Sequence, residues 1–340
     1  MNGFKIFYKK RTISLNATIS IPQGSCNMRR GIISVFLCST ALLLITWHQS
    51  SVRSLTSSIK HAITTESELA AHFLNASWQG PIQSMCHTQT RSKFAVVSML
   101  STHGDGLHEY IIGLCKIGTA VRLQSNLDMV LMTVGTVDIH DRTTVTRCGW
   151  TLCPVPVIEG PLHADNNRYL QSKMYSKLNL WRLQYECVLY VDADVLLLRP
   201  FRALFDHIYP IMLTENKTIA MSFNSIDPRI TLHSNRFNAG VLLVIPDVIE
   251  YENMVRNISI TPHDSTWAEQ TFLNAYYKDQ VFELPYIYNA FVSDDKGKFP
   301  HEWNSIERSV VILHYVTKPW SWTGCLSSRV EEWCLLWYEM

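Results

Sequence analysis

Past its first ninety or so residues the chain is a series of short apolar runs separated by stretches with helical spacing. KFAVVSML (93–100), MVLMTV (129–134) and PVPVI (154–158) are compact apolar runs of strand length. DNNRYLQSKMYSKLNLWRLQ then predicts a helix: Asp165 is placed to cap it, and Leu170, Met174, Leu178 and Trp181 recur at helical intervals. VLYVDADVLLLRP (188–200) reads as one buried strand interrupted only by Asp192 and Asp194. After it come IAMSF (219–223), FNAGVLLVIP (237–246), a helical WAEQTFLNAYY (267–277), VFELP (281–285) and VVILHY (310–315). Strands alternating with helices predict an α/β fold with a mostly parallel central sheet and flanking helices. The strand runs are apolar throughout, which predicts a sheet covered on both faces. With 340 residues, 47% hydrophobic and 17% charged, the chain can bury such a core.

The beginning of the chain follows a different pattern. GIISVFLCSTALLLITW (31–47) carries no charge, follows Arg29-Arg30 directly and is long enough to cross a bilayer. Lys5, Lys9, Lys10, Arg11, Arg29, Arg30, Arg53 and Lys60 all precede the first acidic residue, Glu66. This bias predicts a cytoplasmic tail (1–30), a transmembrane signal anchor (31–47) and a lumenal remainder, the type II arrangement. A cleaved signal peptide fits less well, because residues 1–30 make a long leader and no good small-x-small site follows; a transit peptide is the other reading of a basic start. Residues 48–91, rich in Ser, Thr, Ala and His, read as a stem, and 92–340 as the folded domain.

The formal net charge is +1, so with the basic residues gathered at the start the rest is mildly acidic, which argues against nucleic acid as a partner. Of the cysteines, Cys26 and Cys38 precede or lie in the anchor; the seven beyond it leave at least one unpaired within the chain. The close pairs Cys148 with Cys153 and Cys325 with Cys334 are the first expected disulfides. Sequons at Asn75, Asn216 and Asn257 suit a lumenal domain.

The candidate chemistry lies in the aspartates. Two residues apart on an extended chain, Asp192 and Asp194 present both carboxylates to one face. They fall late in a strand, where open α/β sheets place their ligand crevice. Two buried ionised carboxylates repel each other, and a divalent cation removes that penalty. Oxygen ligands suit Mn²⁺ or Mg²⁺, ions that complete their shell with water and substrate phosphate. A pair of aspartates capping a turn is the plainer alternative. A phosphatase motif would continue with Gly-Thr or Gly-Val where this chain has Val195-Leu196, and glycosidase carboxylates stand about 5 Å or more apart across the scissile bond.

KLNLW, YVDADVLLLRP, FNAG, EQTFLN, LPYIYNA and HYVTKPW occur in this order between about residues 93 and 322. Together they resemble the core of glycosyltransferase family 8, the family of glycogenin and galactinol synthase. That resemblance implies a GT-A fold, a UDP-sugar donor, Mn²⁺ (with Mg²⁺ as the second choice), and transfer to a glycan, glycoconjugate or small polyol with retention of configuration. It implies Asp192, Asp194 and His314 as metal ligands, Lys318 at the diphosphate, and Lys177 near the donor phosphate and sugar. It also implies Asn238 and Gly240 at the donor sugar, Gln270 beside the anomeric carbon and Tyr110 near uracil. Glu269 stands where the family usually has Asp, and only YVT separates His314 from Lys318, a shorter loop than is common. A Golgi or other secretory-pathway membrane is the location this implies. The non-enzyme alternative is a sugar-nucleotide-binding protein without turnover. Trp320, Trp322, Trp333 and Trp337 read either as a sugar platform or as packing residues.

Overall fold

The computed structural model describes residues 92–101, 107–161, 173–230, 235–291, 299–316 and 331–339, with Cys86, Lys318 and Trp320. The proposed tail, anchor and most of the stem, the Asp165 cap and Trp322 lie outside the described residues, as do Cys325 and the side chains of Trp333 and Cys334. Among the described residues no helix is long and apolar enough to cross a membrane.

The apolar runs form a seven-stranded sheet. Strands β1 (Phe94–Ser101), β2 (Asp128–Val134) and β3 (Thr151–Pro154) pair in parallel, linked through helices α1 (Leu107–Gln124) and α2 (Ile139–Arg147). Strand β4 (Cys187–Val191) joins β1 in parallel, so the start of the aspartate segment lies at the middle of the sheet. Beyond β4, α3 (Tyr209–Thr214), β6 (Ile219–Phe223), β7 (Phe237–Val244), α4 (Val248–Asn257), α5 (Ala268–Tyr277) and β8 (Phe282–Leu284) follow, and the strand order is β3-β2-β1-β4-β7-β6-β8. Only the β4–β7 and β6–β7 pairs are antiparallel. Alternate residues of each strand feed opposite layers: Ala95, Val97, Val130, Met132 and Tyr190 on one face, Val96, Leu100, Leu131 and Leu189 on the other. The sheet is thus buried on both sides, as continuous apolar strands require.

A second, three-stranded sheet, β5-β10-β9, is made of β5 (Val195–Leu197), β9 (Ala290–Phe291) and β10 (Ile312–His314). It has its own small core with Leu196, Leu313, Tyr315 and Trp303, the last from α6 (Pro300–Ile306). Trp337, from α7 (Glu331–Glu339), is buried there against Tyr315 and Trp320, so it is a packing residue and not part of an exposed sugar platform.

The structure corrects several sequence expectations. Residues 188–200 are two strands in different sheets, with Asp192, Ala193 and Asp194 in the turn between them. The chain switches there because the Asp192 amide still bonds Gly240 O of β7, whereas Asp194 O already accepts from the Tyr315 amide beyond β10. The run 154–158 is not a strand. Pro154 ends β3 and Pro156 lacks a donor, so only the Val155 amide continues the pairing, to Thr133 O. The expected amphipathic helix is, in its described part, a 3-10 helix, Met174–Arg182, buried from Tyr175 through Arg182. Cys148 and Cys153 are not partners: Cys153, in the first layer, pairs with Cys86, and Cys148, at the end of α2, pairs with Cys115 of α1. Cys187 is unpaired and buried in β4.

One close approach fixes the turn. A Cβ built on Gly113 of α1 would lie 1.9 Å from the carbonyl oxygen of Ala193, so the helix rests on the backbone between the two aspartates only because it has no side chain there. Gly113→Ala gains at most about 1 kcal/mol of helix propensity, whereas overpacking costs about 1–3 kcal/mol. Urea unfolding is therefore expected to show a net loss for Gly113→Ala and little change for the exposed control Thr119→Ala; equal stability of the two would disprove the contact.

Candidate functional site

Where the two sheets part, the turn after β4, the end of β10 and the start of β7 converge. Asp192, Asp194 and His314 each offer a ligand atom, and these atoms all lie within 4.8 Å of one another. Asp194 and His314 are buried, with Asp194 Oδ1 3.6 Å from His314 Nε2, and Asp192 keeps a quarter of its side chain exposed. Gly240 makes the approach possible, since a Cβ there would stand 2.2 Å from His314 Cε1. Lys318 places its ammonium on Asp194 Oδ2. Burial alone would raise the Asp194 carboxyl, but Lys318 and His314 override it and hold the group well below the usual carboxylate range. Burial works against the Lys318 charge, and Asp194 foremost holds its ammonium above the ordinary lysine value.

On the other side of Asp192 is a second cation. Lys177, from the 3-10 helix, is fully buried with Nζ 2.7 Å from Glu269 Oε1, 3.2 Å from Asp192 Oδ1 and 3.0 Å from Ala239 O. The face of Tyr190 lies beneath it, 4.6 Å from the ammonium, and the Tyr190 hydroxyl donates to Asp192 Oδ1 at 2.6 Å. Burial opposes the charge on Lys177, but the two carboxylates outweigh it and keep the amine above its ordinary value. Burial raises the Glu269 carboxyl, with Lys177 pulling the other way. Ala268, just before Glu269, sits at φ 47°, a region in which side chains are strained by about 1–3 kcal/mol. That strained turn opens α5 with Glu269 pointing inward.

A chain of amides runs behind the cluster. Gln270 Oε1 accepts from the Ala239 amide and from Asn238 Nδ2, both at 3.0 Å, while its Nε2 donates to Asn235 Oδ1 at 2.5 Å. Asn238 Oδ1 accepts from the Gly240 amide at 2.8 Å and from Asn289 Nδ2 at 3.0 Å. Asn289 Oδ1 faces His314 Nδ1 at 2.9 Å. Asn274 secures the far end, its amide bonded to both the N–H and the carbonyl of Phe237. Tyr110 joins from α1: Lys318 Nζ stands 5.7 Å from the centre of its ring, and Trp320 meets it edge to face at 5.0 Å.

The structure therefore brings together Asp192, Asp194 and His314, sets Lys177 and Lys318 on either side of them, and links Glu269, Gln270, Asn238 and Gly240 to the same network; Tyr110 touches it through Lys318. Sequence reasoning missed Tyr190, Asn289 and Gly113. Tyr190 was findable, since a residue two before Asp192 on one strand shares its side. Asn289 lay inside LPYIYNA with nothing to mark it out from its neighbours. Another group with metal-ligand spacing, Asp138, His140 and Asp141, is the exposed start of α2, where Asp138 caps the helix by accepting from the Asp141 amide.

The site thus gathers two carboxylates and an imidazole, flanked by two lysines, where the two sheets part, and the chain as a whole is similar to known proteins in sequence and fold. The sequence model of Glycosyl transferase family 8 covers residues 84–324, and the chain belongs to that family. It is 26% identical over 272 residues to inositol phosphorylceramide glucuronosyltransferase 1 of Arabidopsis thaliana, covering 71% of this chain and 45% of that protein. It is 27% identical over 264 residues to galactinol synthase 1 of Solanum lycopersicum, covering 71% of this chain and 78% of that one. The chain thus spans under half of the glucuronosyltransferase and most of the galactinol synthase. Among solved structures, the apo form of the glycosyltransferase GlyE of Streptococcus pneumoniae superposes with a TM-score of 0.50 at 19% identity, over 74% of this chain and 61% of that one. The fold is of the GT-A type.

The Lys177 ion pairs lend themselves to a direct test. Removing one partner of a buried pair costs about 3–5 kcal/mol, because the other charge is left uncompensated. Lys177→Met is expected to lose that much in urea unfolding, and Lys177→Met with Glu269→Gln to recover part of it. Strictly additive losses would show that Lys177 and Glu269 do not interact.

Proposed function

We propose that the chain is a retaining glycosyltransferase that moves a hexosyl or related sugar from a UDP-sugar to a hydroxyl of a glycan, glycoconjugate or small polyol. The observation that carries this reading is the convergence of Asp192, Asp194 and His314 within 4.8 Å, with a lysine on each side. Three carboxylates (Asp192, Asp194 and Glu269) against two ammoniums leave this cluster with one net negative charge, which suits a divalent cation. Oxygen and imidazole ligands fit Mn²⁺, or Mg²⁺. The ion would neutralise the diphosphate as it departs. Membership of the family supports sugar transfer as the reaction.

The residues then divide the work. Lys318, at the mouth of the cluster, would move from Asp194 to the phosphate oxygens, where negative charge grows as the bond to the sugar breaks. Lys177 holds Asp192 and Glu269 in place, and Glu269 and Asn238 face the donor sugar. Tyr110 would lie against uracil. Gln270 is a weak nucleophile and its amide is already engaged on both sides, so we favour attack from the same face as the departing UDP, whose phosphate oxygen takes the acceptor proton. The burial of Glu269 on Lys177 argues against a covalent adduct there.

A panel of UDP-sugars with Mn²⁺, assayed for transfer and hydrolysis, tests the proposal and names the donor. Wild type is expected to turn over at least one donor, with the α or β form of the linkage preserved in the product by NMR. Asp192→Ala with Asp194→Ala, or chelation, should lower the rate by a factor of a hundred or more, on the order of 3 kcal/mol of lost stabilisation. Donor binding without turnover across the panel would support the non-catalytic alternative instead.

We further propose that residues 31–47 anchor the chain as a type II protein with the domain in a secretory lumen, in keeping with a Golgi enzyme. Disulfides Cys86–Cys153 and Cys115–Cys148 support an oxidising compartment. Asn216, exposed in a turn at φ 54°, is an open sequon, whereas the Asn257 side chain is partly buried and donates to Asn253 O. Full-length protein from secretory cells should migrate faster after endoglycosidase treatment, and Asn216→Gln should remove at least part of that shift. A protein with no shift and an N-terminus accessible only from the lumen would rule the orientation out.

A further inference from the structure

The geometry points to Asn289 as a positioning residue that fixes which ring nitrogen of His314 carries the proton, and so which one faces the aspartates. The inference rests on the reading of His314 as a metal ligand, and deepens it. Two backbone groups whose polarity cannot be reversed supply the starting point. The Ala239 and Gly240 amides can only donate, so the Gln270 and Asn238 atoms they meet must be the side-chain oxygens. A flip of Asn238 would set its NH₂ against the Gly240 N–H.

With Asn238 Oδ1 fixed as an acceptor, the atom of Asn289 that meets it at 3.0 Å must be the NH₂, because two oxygens there would repel. The oxygen of Asn289 then faces His314 Nδ1 at 2.9 Å and can only accept, so Nδ1 must carry the hydrogen. In the neutral ring the lone pair falls on Nε2, the nitrogen that stands 3.6 Å from Asp194 Oδ1. Asn289 is wholly buried and both halves of its amide are used, so it cannot turn over without leaving a buried polar group unpaired, at a cost of about 1–3 kcal/mol. The same amide ties the metal ligand to Asn238 and, through it, to Gln270. Misplacing one would therefore disturb the other.

The test reads the ring directly in the full-length, anchored protein. With ¹⁵N-histidine labelling and the pH about two units above the ordinary imidazole value, long-range ¹H–¹⁵N spectra distinguish a protonated from an unprotonated ring nitrogen. The His314 signals are assigned by their loss in His314→Gln. Wild type is expected to show Nδ1 protonated and Nε2 bare. Asn289→Asp keeps an acceptor on Nδ1 and should keep Nδ1 protonated, while its second oxygen meets Asn238 Oδ1 and breaks the tie to Asn238. Asn289→Ala should give a mixture of both forms, and should weaken Mn²⁺ binding, followed by electron paramagnetic resonance of the free ion, by about 10–100-fold.

A wild-type ring protonated at Nε2 would overturn the proposal, and the wild-type spectrum needs no variant that might misfold. An Asn289→Ala protein with an unchanged ring pattern and unchanged Mn²⁺ affinity would overturn it equally. If wild type binds no Mn²⁺ at all, it is the metal reading that falls, and the ring pattern still decides the role of Asn289.

Discussion

The site is organised around a buried ammonium. Lys177 has lost its water, and an uncompensated charge in that position would cost several kcal/mol. Three separate pieces of chain therefore have to meet it: the turn after β4 through Asp192, the start of α5 through Glu269, and β7 through Ala239 O. Tyr190 completes the set from within β4, offering its ring face to the cation and its hydroxyl to Asp192. The strained Ala268 turn makes sense on the same ground, since Glu269 has to face inward for Lys177 to be tolerated at all.

The second constraint is steric and acts through missing side chains. The Asp192–Asp194 turn lies between two sheets, held on one side by a bond from the Asp192 amide to β7 and on the other by the Tyr315 amide after β10. Helix α1 closes over the turn only because Gly113 has no Cβ, and the His314 ring approaches β7 only because Gly240 has none. The geometry of the Asp192, Asp194 and His314 cluster is thus set by backbone contacts between elements far apart in sequence, which makes it insensitive to the rotamers of exposed neighbours and sensitive to single added carbons at these two positions.

These features explain what could and could not be read in the sequence. Apolar runs such as IAMSF and KFAVVSML mark strands because a sheet covered on both faces needs apolar residues at every position, and β6 and β1 fall where those runs predict. The same logic misled at 188–200: a run apolar on both sides of two aspartates has the same pattern whether it is one strand or two strands in different sheets. The disulfides failed for a related reason. Cys148 and Cys153 are near in sequence, but one lies at the end of α2 and the other in the opposite layer of the sheet, a distinction that spacing does not carry. Lys177 reads as a surface lysine by residue type, and only its place in KLNLW beside the aspartate strand marked it as a site residue. Within LPYIYNA nothing set Asn289 apart from its neighbours, because its importance comes from two hydrogen bonds to residues far away in the chain, Asn238 and His314.

The amide chain shows how a fold can set chemistry without a charged residue. A backbone N–H has one polarity: it can only donate, whatever the side chains around it do. Ala239 and Gly240 pass that polarity to Gln270 and Asn238, and Asn238 passes it through Asn289 to the imidazole of His314. Every side chain along this path is an amide, a group that both donates and accepts and so relays a direction without holding a charge. An ionised carboxylate at Asn238 or Asn289 could only accept, and would break the relay while adding negative charge to a cluster that already has one carboxylate more than it has lysines. Neutral amides keep the charge balance with Asp192, Asp194, Glu269 and the two lysines. The position of the β7 amides therefore sets the protonation of a ring in the other sheet, so the orientation of His314 is a property of the fold as a whole and not of β10 alone.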